Sequence, residues 1–157
     1  MRKIKQITAG RLRPRVLMAI TTNPIMASGP GTTHDEMLTI AGGVNAAAGA
    51  RVTAPTYDRE GLLRLNPQLI LILAPSALPL KSIEEDPRLA GLRNLPIPAV
   101  RQQRIVLMND PLVLLPSSCI PRITADMAKA IHPDLAAQID QLMVDITDEA
   151  TTTERGE

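Results

Sequence analysis

Asn66-Pro67-Gln68-Leu69-Ile70-Leu71-Ile72-Leu73 is the stretch whose reading decides the fold. From Leu69 onward every position is apolar, so the alternation of a half-exposed strand is missing, and the run is too short for a buried helix. A strand of this kind must be covered on both faces. Two more runs repeat the pattern, Val16-Leu17-Met18-Ala19-Ile20 upstream and Ile105-Val106-Leu107-Met108 downstream.

Helical patterns fall between and after these runs. Thr33-His34-Asp35-Glu36 has the form of a capping box, followed at helical spacing by Met37, Ile40 and Ala41 and stopped by Gly42-Gly43. Asp58 caps a helix to about Leu65 with Leu62, Leu63 and Leu65 facing inward, and Asn66-Pro67 ends it. Pro87 opens a short helical stretch at Arg88-Leu89-Ala90, and Pro121 opens another carrying Ile123, Met127 and Ile131. Beyond His132-Pro133, Leu135, Ile139, Leu142, Met143 and Ile146 form the stripe of a last amphipathic helix.

Strands alternating with helices imply right-handed crossovers and a parallel sheet. The expected fold class is α/β: a three-layer sandwich with a small, mostly parallel sheet flanked by helices, a single Rossmann-like lobe. Residues 14–146 form that lobe, residues 1–13 precede it, and the polar tail 147–157, without apolar period, is expected to be disordered.

Composition narrows the function. The 157 residues hold 17 basic against 16 acidic side chains, a net charge of +1. Scattered charge of this balance leaves no footprint for a polyanion, and base-stacking modules need rings that this chain lacks, so nucleic acid is not an expected partner. There is no Phe and no Trp, and Tyr57 is the only tyrosine. The core is therefore aliphatic, and a flat ligand has little to stack on. No run of about 18 apolar residues marks a membrane span, and Met1-Arg2-Lys3-Ile4-Lys5-Gln6 does not read as a signal peptide. Cys119, the single cysteine, cannot close an internal disulfide and reads as a small apolar residue.

In open α/β sheets ligands sit outside the carboxyl ends of the strands. Three segments are expected there: Thr21 to Thr32, Ala74 to Pro79 and Asn109 to Ser118. The first is long for a strand-to-helix connection, which points to function. Its Gly29-Pro30-Gly31 hints at a phosphate cradle, but neither the lysine of a phosphate loop nor the third glycine of a dinucleotide fingerprint follows. His34, Asp35 and Glu36 fan out around a helix start and do not converge on a metal. Ser28, Ser117, Ser118 and Cys119, with His34 and His132 as bases, sit in no nucleophile pattern. No catalytic residue and no enzyme is expected. Glu60 falls in the first turn of a helix, where an acid suits the dipole.

The order Ala27-Ser28-Gly29-Pro30-Gly31-Thr32-Thr33-His34-Asp35-Glu36-Met37-Leu38, then Ala41-Gly42-Gly43-Val44-Asn45-Ala46, Tyr57, Glu60 and Asn66-Pro67-Gln68-Leu69-Ile70-Leu71, resembles the carboxy-terminal lobe of helical-backbone (class III) periplasmic substrate-binding proteins. These serve ABC importers for iron-siderophores, haem and cobalamin. The similarity runs from about residue 14 to 132, and residues 1–13 then match the end of the helix joining two lobes.

The resemblance implies a lobe that forms one wall of a cleft, with ligand contacts drawn from Asn23, Met26, Ser28, Gly29, Tyr57, Asp110 and Leu112. It gives Glu60 a role in docking to arginines of the permease. It implies no intrinsic cofactor or metal, with haem, cobalamin or a ferric siderophore as transported cargo. The implied partners are an ABC importer permease and a separate amino-terminal lobe, and the implied location is the periplasm. A competing reading is an orphan lobe that self-associates as a homodimer through Leu135, Ile139, Leu142, Met143 and Ile146. A phosphate-using enzyme built on Gly29-Pro30-Gly31 stands third.

Overall fold

The computed structural model describes residues 1–115 and 119–154, with side chains through residue 146. Among the described residues there are six strands: β1 (Arg15–Thr22), β2 (Ile25–Ala27), β3 (Val44–Asn45), β4 (Thr56–Tyr57), β5 (Leu69–Leu73) and β6 (Ile105–Met108). The helices are α1 (Arg2–Ile7), α2 (Thr33–Ile40), α3 (Arg59–Leu65), α4 (Pro98–Arg101), α5 (Ile120–Ile131) and α6 (Ala136–Glu154), with a 3-10 turn over Pro87–Leu92.

The sheet runs β4-β2-β1-β5-β6, with β3 beside the start of β1. β1, β5 and β6 are mutually parallel, with Val16 opposite Leu69 and Ile70 opposite Ile105, while β2 turns back antiparallel on β1. Alternate side chains of the apolar runs serve two cores, which explains why no polar position breaks them. Val16, Met18, Leu69, Leu71 and Leu73 pack toward α1, α2, α5 and α6. Leu17, Ala19, Ile70 and Ile72 pack toward Leu62 of α3, the 3-10 turn and Ala99 of α4. This is the α/β sandwich expected from the sequence.

Three arginines organise the end of the sheet where the parallel strands begin, here termed the amino-terminal pole. Arg13 donates from Nη2 to Gly43 O (2.8 Å) and Thr39 O (3.3 Å) at the end of α2. Arg15 donates from Nε and Nη2 to Leu65 O, the last carbonyl of α3, at 3.1 and 3.0 Å. Arg104 donates from Nη2 to Ile131 O at the end of α5, at 3.1 Å. Each puts a cation on orphan carbonyls at the negative end of a helix, worth about 0.3–1 kcal/mol apiece where exposed. Gly42 beside them has φ +89, and an added Cβ would stand 2.7 Å from His132 Nε2.

Several expectations change. The segment Thr21 to Thr32 is not one long loop: β1 continues through Thr22 and folds back as β2, its turn closed by Thr21 Oγ1 donating to Pro24 O (2.6 Å) and accepting from Met26 N (3.2 Å). The helix cap is Thr32, one residue before the expected Thr33, since Thr32 Oγ1 accepts from Asp35 N (3.1 Å) and Asp35 in turn accepts from Gly31 N (3.0 Å). Leu62 is buried as expected, but Leu63 is 38% exposed because it follows Leu62 by only one helical step. The last helix extends to Glu154, into the tail expected to be disordered from Thr147. That stretch has no Gly or Pro, and prolonging a helix already packed on the lobe needs no new nucleus. The stripe of the last helix packs on its own lobe, with Leu135, Ile139 and Leu142 buried in the core, so the competing homodimer seam does not have these side chains to offer.

Candidate ligand-binding site

The parallel strands end at Thr22, Leu73 and Met108, so the β1–β2 turn and the segments after β5 and β6 share one rim of the sheet. The latter two are joined. Ser76 N donates to Asn109 O (2.9 Å) and Asn109 Nδ2 donates to Ala77 O (3.3 Å). His34, buried at the start of α2, reaches the second of them, with Nε2 2.6 Å from Val113 O. Asp110 fixes its base, accepting from Leu112 N at 2.8 Å and pairing with Arg122 Nη2 at 2.7 Å.

The segment after β5 is clamped from beneath by Asp86, which is 1% exposed. Its carboxylate accepts from Arg88 Nη2 (2.6 Å) and Nε (2.9 Å) and from Lys81 N (3.0 Å). Arg88 in turn donates to Leu78 O (2.9 Å) and Pro79 O (3.0 Å). The guanidinium holds the Asp86 carboxyl far below the usual carboxylate range, which keeps the clamp ionised at neutral pH. On this frame the rim presents Leu78, Leu112 and Leu115 to solvent, 80%, 40% and 75% exposed. These are aliphatic side chains on braced backbone, a surface suited to van der Waals contact with a bulky ligand.

The structure sorts the expected contacts. Asn23 is exposed at the tip of the β1–β2 turn, on the rim, and Asp110 and Leu112 lie there too. Met26 is half-buried on β2. Ser28 and Gly29 turn inward. Ser28 is 1% exposed, with its hydroxyl 2.8 Å from Thr32 Oγ1, and a Cβ on Gly29 would stand 2.6 Å from Val52 O. Both belong to a polar knot centred on buried Asn45. Asn45 Nδ2 donates to Ser28 O (3.2 Å) and Asp35 Oδ1 (3.0 Å), and its Oδ1 accepts from Ala47 N (2.9 Å).

Tyr57 stands in register with Ile25 at the rim, but its ring packs beneath Gly61 and lines a concavity with Ala46, Val52 and Leu65 on the flank. Burial raises its phenol pKa. Glu60 is 82% exposed in the first turn of α3, with Arg64 Nη1 3.7 Å away. Ser117 and Ser118 lie outside the described residues. Leu78, Leu115 and the Asp86–Arg88 clamp escape sequence reading. Asp86-Pro87 signalled a helix start and nothing about the loop behind it.

Fold and rim together define a class: a single α/β lobe whose parallel strands end at one loop-built rim. No family model matches the chain. It is 38% identical over 64 residues to the vitamin B12-binding protein of Salmonella typhimurium, a match covering 41% of this chain and 24% of that protein. Its fold is similar to an ABC transporter substrate-binding protein from Listeria monocytogenes (TM-score 0.69, 19% identity, 84% of this chain and 52% of the other). It is likewise similar to a periplasmic heme-binding protein from Pseudomonas aeruginosa (TM-score 0.66, 24% identity, 84% and 49%). The fold is shared with about half of each of these solved proteins, in keeping with the resemblance read in the sequence. All three of these relatives are binding proteins by name. The chain spans about half the length of the solved proteins and 24% of the curated relative.

Proposed function

We propose that the chain acts as the carboxy-terminal lobe of a periplasmic substrate-binding protein that presents a metal chelate, an iron-siderophore, haem or cobalamin, to an ABC importer permease. The observation that carries this reading is the braced rim, where two hydrogen-bonded loops expose Leu78, Leu112 and Leu115 at the strand ends of a lobe half the size of its structural neighbours. Half a cleft buries too little of a ligand for tight binding, so a separate amino-terminal lobe supplies the opposite wall. Residues 1–13 act as the end of the connecting helix. α1 packs on the lobe through fully buried Ile4.

Among the three chelates we favour cobalamin, on the 38% identity over 64 residues to a vitamin B12-binding protein. The carboxylates of Asp86 and Asp110 are each paired with an arginine, and the rim segments expose Leu78, Leu112, Leu115, Asn23 and Asn109 together with Lys81, Glu84 and Glu85. The leucines offer apolar contact to a corrinoid. The contacts fall to Asn23, Asp110 and Leu112, with Leu78 and Leu115 beside them. Glu60 serves as the docking acid. α3 connects the rim end of β4 back to the start of β5, so its first turn faces the rim side.

Calorimetric titration of haem, cobalamin and a ferric siderophore into this chain, with and without a candidate amino-terminal lobe, tests the reading. Affinity should rise when the second lobe is present, most for cobalamin. No gain for any ligand overturns it. Glu60→Lys should abolish co-purification with the permease while leaving ligand titration unchanged.

A further inference from the structure

Arg13, Gln68 and Arg104 stand just ahead of β1, β5 and β6, and because these three strands are parallel neighbours the fold brings the three residues together. They share a concavity of about 410 Å³ at the amino-terminal pole, lined also by Leu12, Pro14 and His132. The acceptors around it are spent. Arg13 Nη2 takes Thr39 O and Gly43 O, and Arg104 Nη2 takes Ile131 O. Pro14 O accepts from Val44 N (2.9 Å) and His132 O from Leu135 N (3.0 Å). Gln68 Oε1 accepts from Arg15 N at 2.9 Å, which leaves the amide nitrogen as its unused end. What remains is donors. Nε and Nη1 of both Arg13 and Arg104, with Gln68 Nε2, have no partner among the described residues.

Charge points the same way. Arg11, Arg64, Arg88 and Arg122 each pair with a carboxylate, whereas Arg13 and Arg104 have none among the described residues. The described residues that line the concavity include no acid, and Asp134, whose charge bears on His132, is paired with Arg11 at 2.9 Å. The ends of α2 and α5 offset about half a charge each, so the two guanidiniums keep a net positive field. His132 is an independent sign. It is 7% exposed on the wall of this concavity, and its Nε2 has no hydrogen-bond partner among the described residues. A native fold rarely leaves a buried polar atom unmet.

We infer that this concavity binds an organic phosphate, its phosphoryl oxygens held by Arg13, Gln68 and Arg104 beside His132 and its carbon portion laid on Leu12 and Pro14. Guanidinium matches phosphate in charge and in its planar fork. Donors carried by three separate strand starts surround a tetrahedral dianion and have fewer oxygens to meet on a planar carboxylate. Leu12, 93% exposed, is the apolar surface that such a ligand would cover. The site lies at the opposite end of the sheet from the rim, so its ligand leaves the cleft open. By tying the starts of all three parallel strands it acts on the fold, raising stability because it binds the folded chain alone.

Sulfate, whose charge is fixed across the histidine range, is the first probe. Proton NMR of the full chain should show the His132 pKa higher in sulfate than in chloride at matched ionic strength, since an anion beside the ring favours the imidazolium. His34, held on Val113 O at the rim, should not respond and serves as the internal control. Glycerol phosphate should raise the thermal midpoint more than sulfate does, and acetate should leave it unchanged. Gln68→Glu keeps an oxygen for Arg15 N and sets a carboxylate where the unused donor stood. It should weaken glycerol phosphate binding by about tenfold or more in calorimetry, with the thermal midpoint in chloride unchanged. A His132 titration that is the same in sulfate and chloride, or a Gln68→Glu chain that binds glycerol phosphate as the wild type does, overturns the inference. Acetate binding as tight as that of glycerol phosphate overturns the assignment to phosphate.

Discussion

The two poles of this lobe spend their polar groups differently. At the amino-terminal pole Arg13, Arg15 and Arg104 each close the end of a different helix, and His132 is buried at 7% exposure. At the carboxyl rim the polar groups brace loops against one another: Asn109 on Ala77, His34 on Val113, Arg88 on Leu78 and Pro79. There the apolar side chains are left outside. Side chains at the first pole hold the fold, and those at the second hold a surface in shape without being covered by it. Substitutions at the two ends should therefore separate stability from binding.

The largest effect is expected at Asn45, which meets the start of β1 through its parallel partner Val16. Asn45→Ala removes the partner of Ser28 O, Asp35 Oδ1 and Ala47 N in a buried site and leaves a void where the amide stood. At about 1–3 kcal/mol for an unmet buried polar group, the loss should reach about 3 kcal/mol in chemical denaturation. Asn45→Asp should not rescue it, since a second carboxylate would face Asp35. A loss below about 1 kcal/mol would mean that water replaces the amide and that the knot does not secure this pole.

That knot also shows what could be read in advance. The strands were legible because an uninterrupted apolar run admits few placements, and Asp58 was legible as a cap because its role is local: its Oδ1 accepts from Gly61 N at 2.7 Å. Gly42-Gly43-Val44-Asn45 was legible as a marker of family likeness, while the purpose of Asn45 was hidden, since its partners Ser28 and Asp35 lie 17 and 10 residues away. Ser28 carried the same ambiguity. A serine in a glycine-rich loop reads as a ligand contact until the fold shows its hydroxyl spent on Thr32. The short strands β3 and β4 gave no signal, being two residues each and defined by their neighbours.

A smaller effect follows from His132. Burial lowers its pKa below 6.5, with Arg11 and Arg104 reinforcing the shift and Asp134 opposing it. Thr8 and Gly42 pack at the same spot, and His132 Nε2 has no hydrogen-bond partner among the described residues. A folded-state pKa below the unfolded one means that the unfolded chain binds the proton more readily. The stability due to neutral His132 is therefore complete above the ordinary histidine range and declines as pH falls through 6.5 toward the lowered folded value. Thermal midpoints measured from pH 7.5 down to 5.5 should drop, and His132→Gln should flatten the curve. A midpoint in the wild type that holds or rises on acidification contradicts the sign.

The smallest effect on stability, and the sharpest contrast, belongs to the rim. Leu78 and Leu115 are 80% and 75% exposed, so Leu78→Ser and Leu115→Ser remove little buried apolar surface and should shift stability by less than about 0.5 kcal/mol. If these leucines meet a ligand held against a second lobe, the same changes should weaken two-lobe binding by about tenfold, because about 1.4 kcal/mol of lost apolar contact is that factor. The pairing of the two readouts carries the test. Denaturation that leaves Leu115→Ser indistinguishable from wild type, with titration showing weakened binding, assigns the rim to ligand and the opposite pole to the fold. A stability loss comparable to that of Asn45→Ala would instead make the rim part of the core's support and erase the division between the two ends.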